Sequence, residues 1–372
     1  MHPAMARHRF RFRPDEILRL HTLLRLPDVL YSEQQSPVAS LEALCLLLAR
    51  MAYPTRWLDL TEMFGRHHTV LCSIFLQLID ILYDKAKMRM NFGTRMLQRY
   101  GAEMARAVDE RTGCLENCVG FIDGTVRPTC RPIIFQRALY NGHKRVHALK
   151  FQMIVMPNGL IVSLTGPVEG RRHDVALLRM SDVAHHMRTD FPNYCIYGDP
   201  AYPVKSWIQA PYKGAKLTPR QEAFNKSMSK MRVCVEWMFG VITTQWKFLD
   251  FRKNLKVLLS PVGKFYVVGG YLTNCLICTR GKSPATVKFG TALPTIDEYL
   301  DEAHVFLRRV VRDEPLEQRK HLLLHGERLL LQSQCVFLVT TTLFTLTTSL
   351  FRLKLAISTA FFDFLLQFAS FE

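Results

Sequence analysis

The stretch Cys118-Val119-Gly120-Phe121-Ile122-Asp123-Gly124-Thr125 brings an apolar run up against a carboxylate and a glycine. A short continuous apolar run of this kind reads as a buried strand, here one that ends at Asp123. Taken alone, Asp123 opens a turn with Gly124. A buried strand that finishes on a carboxylate, however, needs a partner for that charge. What the rest of the chain supplies as that partner decides the reading.

Downstream of this strand the pattern stays that of a sheet. Leu149 to Met156 is a second apolar run, Pro157-Asn158-Gly159 is a turn, and Leu160 to Thr165 is a third run. Two runs joined by a tight Asn-Gly turn make an antiparallel hairpin, so the sheet is not purely parallel. After Gly166-Pro167 the segment from His173 to Leu178 begins a helix, with Asp174 near its amino-terminal end. Tyr194-Cys195-Ile196-Tyr197 is a fourth strand and runs into Gly198-Asp199, which places a second carboxylate at a strand end. A long helical stretch follows from Pro219 to Asp250, capped by Thr218-Pro219 and apolar at Val235, Met238, Phe239 and Ile242. Glu236 lies in its most hydrophobic part, where a charge calls for a partner or a metal unless that position faces solvent.

Upstream, residues 36–100 carry a helical period. Ser36-Pro37 offers a cap and first turn, with Leu41, Leu44, Cys45 and Leu48 on one face. A second helix follows Thr55 and stops at Gly65; a third begins near Thr69 with Val70, Ile74, Leu78 and Ile81 as its stripe. This is the outline of a helix-turn-helix, although the third helix offers few basic side chains to a DNA groove. His67 and His68 read as turn residues. At the amino terminus Arg7, Arg9, Arg11 and Arg13 alternate with His8, Phe10 and Phe12. That pattern reads as a basic arm for phosphate contact or nuclear address, or as a solvated end, and not as a secretory signal.

The expected organisation is a helical amino-terminal domain over 1–110, a mixed α/β domain over 111–300, and an apolar tail over 301–372. At 372 residues and 48% hydrophobic content the chain can bury a sizeable core and is not of the disordered class. Forty-nine Lys and Arg against 32 Asp and Glu give a net charge of +17, which favours a polyanionic partner such as DNA. The 10 cysteines are scattered through apolar segments, a usage that fits a reducing compartment. Cys114 with Cys118 and Cys275 with Cys278 lack a second ligand pair at zinc-finger spacing, so both pairs read as core cysteines.

Asp123, Asp199 and Glu236, two at strand ends and one on a later helix, are what a two-metal phosphoryl-transfer site requires. Mg²⁺ favours carboxylate and water oxygens, and two ions roughly 4 Å apart can activate the attacking oxygen and stabilise the leaving one.

Five stretches then occur in order: Ile122-Asp123-Gly124-Thr125, Tyr140 to Arg145, Gly166 to Asp174, Gly198 to Pro203, and Val235 to Gly240. Together they resemble the DDE nuclease domain of the Harbinger transposase superfamily and its domesticated derivatives, over about Cys114 to Leu300. The resemblance implies an RNase H-like fold, a five-stranded mixed sheet flanked by helices, with two Mg²⁺ or Mn²⁺ ions. By motif its three acids fall on Asp123, Asp199 and Glu236. The 36 residues between Asp199 and Glu236 agree with the family's short second spacing. Asp174 is the rival for the second position, but it opens a helix, where a cap is the simpler role. Lys144, Arg145, Lys150, Arg171 and Arg172 are expected around the site on DNA phosphates, or on a solvated face. Asn225, Ser227 and Arg232 also fit the family pattern. Arg232, one helical turn before Glu236, suits a salt bridge to that carboxylate or a phosphate contact. Trp237, Trp246 and Phe248 read as core.

The resemblance implies a nuclear DNA endonuclease or transposase, with a separate Myb/SANT-type protein for DNA targeting; whether it assembles as a homo-oligomer is left open by the sequence. The alternative is a catalytically silent, domesticated DNA-binding or chromatin adaptor. The resemblance says nothing of the tail beyond Lys320. Leu329 to Phe351 is a run of 23 residues without a charge, long enough for a membrane helix, but its Thr and Ser content with Gln332 and Gln334 weighs against insertion.

Overall fold

The computed structural model describes residues 2–300; the expectations for 301–372, the charge-free run included, lie outside the described residues. In chain order the elements are α1 (Pro3–Phe10), α2 (Pro14–Leu24), β1 (Val29–Tyr31), β2 (Pro37–Ala39), α3 (Ser40–Ala52), α4 (Trp57–Phe64), α5 (His68–Met90) and α6 (Thr94–Thr112). The sheet region follows with β3 (Cys118–Pro128), α7 (Gln136–Leu139), β4 (Tyr140–Asn141), β5 (Val146–Val155), β6 (Ile161–Glu169), α8 (Asp174–Met180), α9 (Val183–Thr189), β7 (Cys195–Tyr197) and β8 (Ile208–Gln209). Helices α10 (Pro219–Gln245), α11 (Val262–Arg280) and α12 (Pro284–Phe289) follow.

The main strands run in the order β6-β5-β3-β7-β8, with the two-residue β4 pairing beside β5. β3 lies in the middle, antiparallel to β5 and parallel to β7, and β7 is parallel to β8. This is the mixed, helix-flanked RNase H-like arrangement, with β4 added to its five strands. The Asn158-Gly159 turn joins β5 to β6, and Gly159 takes a φ of 87° there, a conformation that glycine adopts at no steric cost.

β3 does not end at Asp123. Pairing with β5 continues through Asp123↔Met153, Gly124↔Gln152 and on to Pro128↔Ala148. The glycine that read as a turn is an extended residue inside the ladder, and Asp123 sits mid-strand.

The helical region packs directly on the sheet. α5 buries Val70, Leu71, Ile74, Phe75, Leu78, Ile79, Leu82, Ala86 and Met90, a stripe at helical spacing that contacts α3, α4, α11 and β6. α4 ends on Gly65 in the left-handed conformation, and His67 caps α5 through the Thr69 N–H. The helix-turn-helix outline is therefore present, but the apolar stripe of its second helix is taken up by the core. α11 covers the β6 edge: the Asn274 side-chain amide accepts from Ile161 N–H at 3.0 Å and donates to Ile161 C=O at 2.8 Å. One amide thus satisfies the edge groups that a neighbouring strand would otherwise pair.

Two further expectations are corrected. The helix expected from Ser36 starts at Ser40, because Pro37–Ala39 pairs with Val29–Tyr31 as a small antiparallel ribbon that buries Leu30 and Val38. The basic amino-terminal arm is folded. Phe10 and Phe12 are buried, and Arg11 donates to the carbonyls of Gln245 at 2.8 Å and Ala52 at 3.1 Å while stacking on Tyr53. The aromatic half of the alternation decides the outcome, since burying two phenyl rings is favourable while Arg11 finds carbonyl partners and Arg7 and Arg13 keep their heads in solvent.

Candidate active site

Each of the three acids is held on a different element around the centre of the sheet. β3 carries Asp123, whose Oδ1 accepts from the Gly124 N–H at 2.8 Å. Asp199 follows the end of β7, where its carboxylate accepts from the Ala201 N–H at 3.0 Å. Glu236 lies on α10, whose Cys234, Val235, Met238, Phe239 and Ile242 are buried and which packs on β3 and β5.

Arg232 joins two of these elements. Its Nη1 donates to Asp123 Oδ2 at 2.6 Å and its Nη2 to Glu236 Oε1 at 2.9 Å. The expected one-turn pair with Glu236 is present; the bond to Asp123, which ties α10 to the central strand, was not foreseen. Burial works against the Arg232 charge, but the fields of Asp123, Glu236 and Asp199 outweigh it and hold the guanidinium above its ordinary value.

Asp123 is 16% exposed in its side chain, against 49% for Glu236. Burial pushes the Asp123 carboxyl up to about 6, opposed by Arg232 and the Gly124 N–H and reinforced by the charges of Asp199 and Glu236. A carboxyl raised this far, with two like charges nearby, is typical of functional centres. All three acids therefore lie in one electrostatic field.

A second layer lies beside them. Asp174, at the first position of α8, forms an ion pair with Lys150 Nζ at 3.0 Å, and Lys150 also donates to Arg172 C=O at 3.0 Å. A Cβ placed on Gly124 would fall 1.8 Å from Asp174 Oδ1, so β3 must carry glycine here for α8 to approach. Gln152 donates to Asp174 C=O at 3.1 Å and to the Tyr202 hydroxyl at 2.9 Å. The Tyr202 ring lies against Gly198, and its N–H donates to Asp199 C=O at 3.1 Å. The Asp199 turn is thereby pinned to β5.

Both candidates for the second acid thus reach the site: Asp174 with Lys150 as its counter-ion, Asp199 with a backbone donor. Lys144, Arg145, Arg171 and Arg172 are exposed, with Arg172 paired to Glu169 at 2.7 Å. Lys150 is a correction: it is buried on Asp174 and does not face solvent as a phosphate contact would. Asn225 holds the Tyr212 backbone at both N–H and C=O. Trp246 and Phe248 are core, whereas Trp237 is 37% exposed with Lys288 over its ring. Gln152 and Lys150 had a sequence signal: they are polar residues two apart in the apolar run of β5, hence on one face of the strand.

Among the described residues no group of three His, Cys, Asp or Glu side chains stands at metal-holding spacing. Between Asp123 and Glu236 stands the Arg232 guanidinium. The donor chemistry of Asp123, Asp199 and Glu236, all hard carboxylate oxygens, fits Mg²⁺ or Mn²⁺. The cation now shared by Asp123 and Glu236 supplies positive charge of the kind that a divalent ion would bring.

Residues 122–274 match the family described as DDE superfamily endonuclease. That segment opens one residue before Asp123 and takes in Asp174, Asp199, Arg232 and Glu236. The chain is also similar to Protein ALP1-like from Arabidopsis thaliana, 18% identical over 232 residues, which covers 58% of this chain and 55% of that protein. The chain thus spans about half the length of the curated relative it matches. No solved structure matches the chain. Residues 122–274 are thus similar to the DDE superfamily endonucleases, and the mixed sheet order over this segment is consistent with an RNase H-like fold.

Proposed function

We propose that this chain is a divalent-metal-dependent DNA endonuclease of the Harbinger transposase type, with Asp123, Asp199 and Glu236 as its metal-holding acids. The observation that carries this reading is the shared field of the three acids, with Arg232 bonded to both Asp123 and Glu236 inside the matched segment. A pair of divalent ions supplies activation of the attacking oxygen and charge stabilisation of the leaving one. The chain's own part is to fix the acids. The Gly124 N–H orients Asp123, the Tyr202–Gln152 bond holds the Asp199 turn, and α10 presents Glu236. Arg232, released from the carboxylates, is placed for the scissile phosphate, where a guanidinium binds two oxygens at once. Lys144, Arg145 and Arg171 face solvent for the flanking phosphates.

On this reading Asp199 is the second acid, because Asp174 already carries Lys150. The chain acts on DNA in the nucleus, directed by a Myb/SANT-type partner and assembled as a homo-oligomer. The test is nicking of supercoiled plasmid and of element-end duplexes with Mg²⁺ or Mn²⁺, with the partner added. Activity above an Asp123→Ala control supports the reading; equal, background activity in both refutes it.

A second reading, a catalytically silent adaptor, has one observation in its favour: Arg232 already neutralises two of the acids without metal. Calorimetry with Mn²⁺ separates the two. A nuclease gives divalent-ion binding that disappears in Glu236→Ala, whereas an adaptor binds DNA equally with and without metal.

A further inference from the structure

The loop that follows β3 carries three consecutive large apolar side chains in solvent: Ile133 at 86% exposure, Ile134 at 53% and Phe135 at 64%. Its base is firmly built. Thr129 N–H donates to His147 C=O and Cys130 N–H to Leu255 C=O, each at 2.9 Å. Pro132 and Leu139 are buried, and Arg131 Nε donates to Gln136 Oε1 across the loop at 2.9 Å. Phe135 takes a φ of 59°, which a bulky residue adopts at a cost, and its carbonyl accepts from Ala138 and Leu139 at 3.0 and 3.1 Å. The loop therefore holds its apolar tip outward on an ordered base.

The charge around the tip is of one sign. Between Asp123 and Glu169 the chain has no acidic residue and six cations: Arg127, Arg131, Arg137, Lys144, Arg145 and Lys150. Of these, Arg131 and Arg137 flank the tip and are exposed, as are Lys144 and Arg145 in the next turn. A second copy of the same surface would meet this patch with like charge, which disfavours that contact. A polyanion with apolar faces between its charges fits it, and duplex DNA has that chemistry: phosphates for the arginines and a base step for the apolar side chains.

We propose that Ile133, Ile134 and Phe135 form a wedge that enters a base step of duplex DNA, with Arg131 and Arg137 on the flanking phosphates. Its placement rests on the nuclease reading above. Pro128, five positions after Asp123 at the end of β3, lies about 17 Å from it along the strand, and the wedge follows in the loop beyond. The step it enters therefore lies away from the phosphate at the acids, outside the residues that hold Asp123. Unstacking a step there would bend the duplex and expose bases near the cut.

The test uses the full chain in EDTA, so that cleavage plays no part, with mixed-sequence duplexes carrying 2-aminopurine at successive positions. The expected result is a several-fold fluorescence rise confined to one step. That rise is lost in Ile133→Ser/Ile134→Ser/Phe135→Ser, whose fold is checked by near-ultraviolet circular dichroism, while affinity falls about tenfold. Arg137→Gln should weaken binding and flatten its salt dependence, leaving the unstacked step unchanged. The proposal is overturned if no position brightens at saturating protein, or if the triple variant brightens it equally. It is likewise overturned if the triple variant instead breaks a self-association seen by sedimentation, which would make the tip a contact between copies. A clear unstacked step without any metal-dependent nicking would support the wedge and sink only the nuclease reading; nicking without unstacking would do the reverse.

Discussion

Arg232 Nη1 stands 2.6 Å from Asp123 Oδ2, so the helix that carries Glu236 is tied to the middle strand of the sheet through a carboxylate that is largely out of water. Removing the guanidinium leaves that carboxylate without its main counter-charge, and a broken buried pair costs far more than an intact one contributes. Arg232→Gln is therefore expected to lower stability near neutral pH by about 2 kcal/mol. If Arg232 stands where divalent ions compete for Asp123 and Glu236, Mn²⁺ should raise the melting temperature of the variant more than that of the wild type. Thermal melts with and without Mn²⁺ check both statements, and an equal Mn²⁺ response would remove the competition argument.

The pH dependence of stability has a definite sign at Asp123. Burial raises its carboxyl to about 6 from the ordinary 3.8, so the folded chain holds this proton more tightly than the unfolded one. The contribution of this group to stability then falls as pH rises from about 4 to about 6, and its full cost is present above that. Asp123→Asn removes the charge while keeping the shape. Apart from the fixed cost to Arg232 of losing this partner, the stability of the variant relative to wild type is expected to rise by about 1–2 kcal/mol between pH 4 and pH 7.5. Urea unfolding at the two pH values measures it; a relative stability that rises toward acid instead would contradict the assignment.

Much of this architecture was legible in the sequence because apolar runs and turn residues mark strands locally. The Asn158-Gly159 hairpin and the Thr218-Pro219 helix start are of that kind. What escaped depends on contacts distant in sequence. Gly124 reads as a turn because glycine after aspartate does so locally; only β5, passing alongside, shows the strand continuing. Arg11 reads as a solvated cation until the Gln245 carbonyl is found beside it. The bond from Arg232 to Asp123 spans 109 positions, and no spacing rule reaches that far. Lys150 was expected on DNA because cations signal phosphate contact in general, whereas its strand face turns it onto Asp174.

Gly124 should tolerate no side chain. Its added Cβ would lie 1.8 Å from Asp174 Oδ1, and either β3 or α8 must move to relieve the clash. Gly124→Ala is expected to cost about 1–3 kcal/mol. Pairing it with Asp174→Ala, which removes the clashing carboxylate but leaves Lys150 without its counter-ion, should recover part of that loss. A double-mutant cycle by chemical denaturation gives the coupling, and strict additivity would mean that the two residues do not meet.

Tyr202→Phe separates positioning from chemistry at Asp199. The hydroxyl accepts from Gln152 at 2.9 Å while the ring lies against Gly198 and the backbone holds Asp199 C=O. Phenylalanine keeps the ring packing and loses the hydrogen bond, so the stability loss should be about 1 kcal/mol. The Asp199 turn then loses its attachment to β5, and loosening an acid by even a fraction of an ångström weakens a site that depends on alignment. Mn²⁺ affinity is expected to fall several-fold in Tyr202→Phe, and Gln152→Leu should reproduce that fall because it removes the other half of the same bond. Asp199→Asn with Tyr202→Phe should lose no more metal affinity than Asp199→Asn alone. Calorimetric titration of these four variants beside the wild type decides it: a further loss in the double variant would mean that Tyr202 acts on the site by a route other than Asp199.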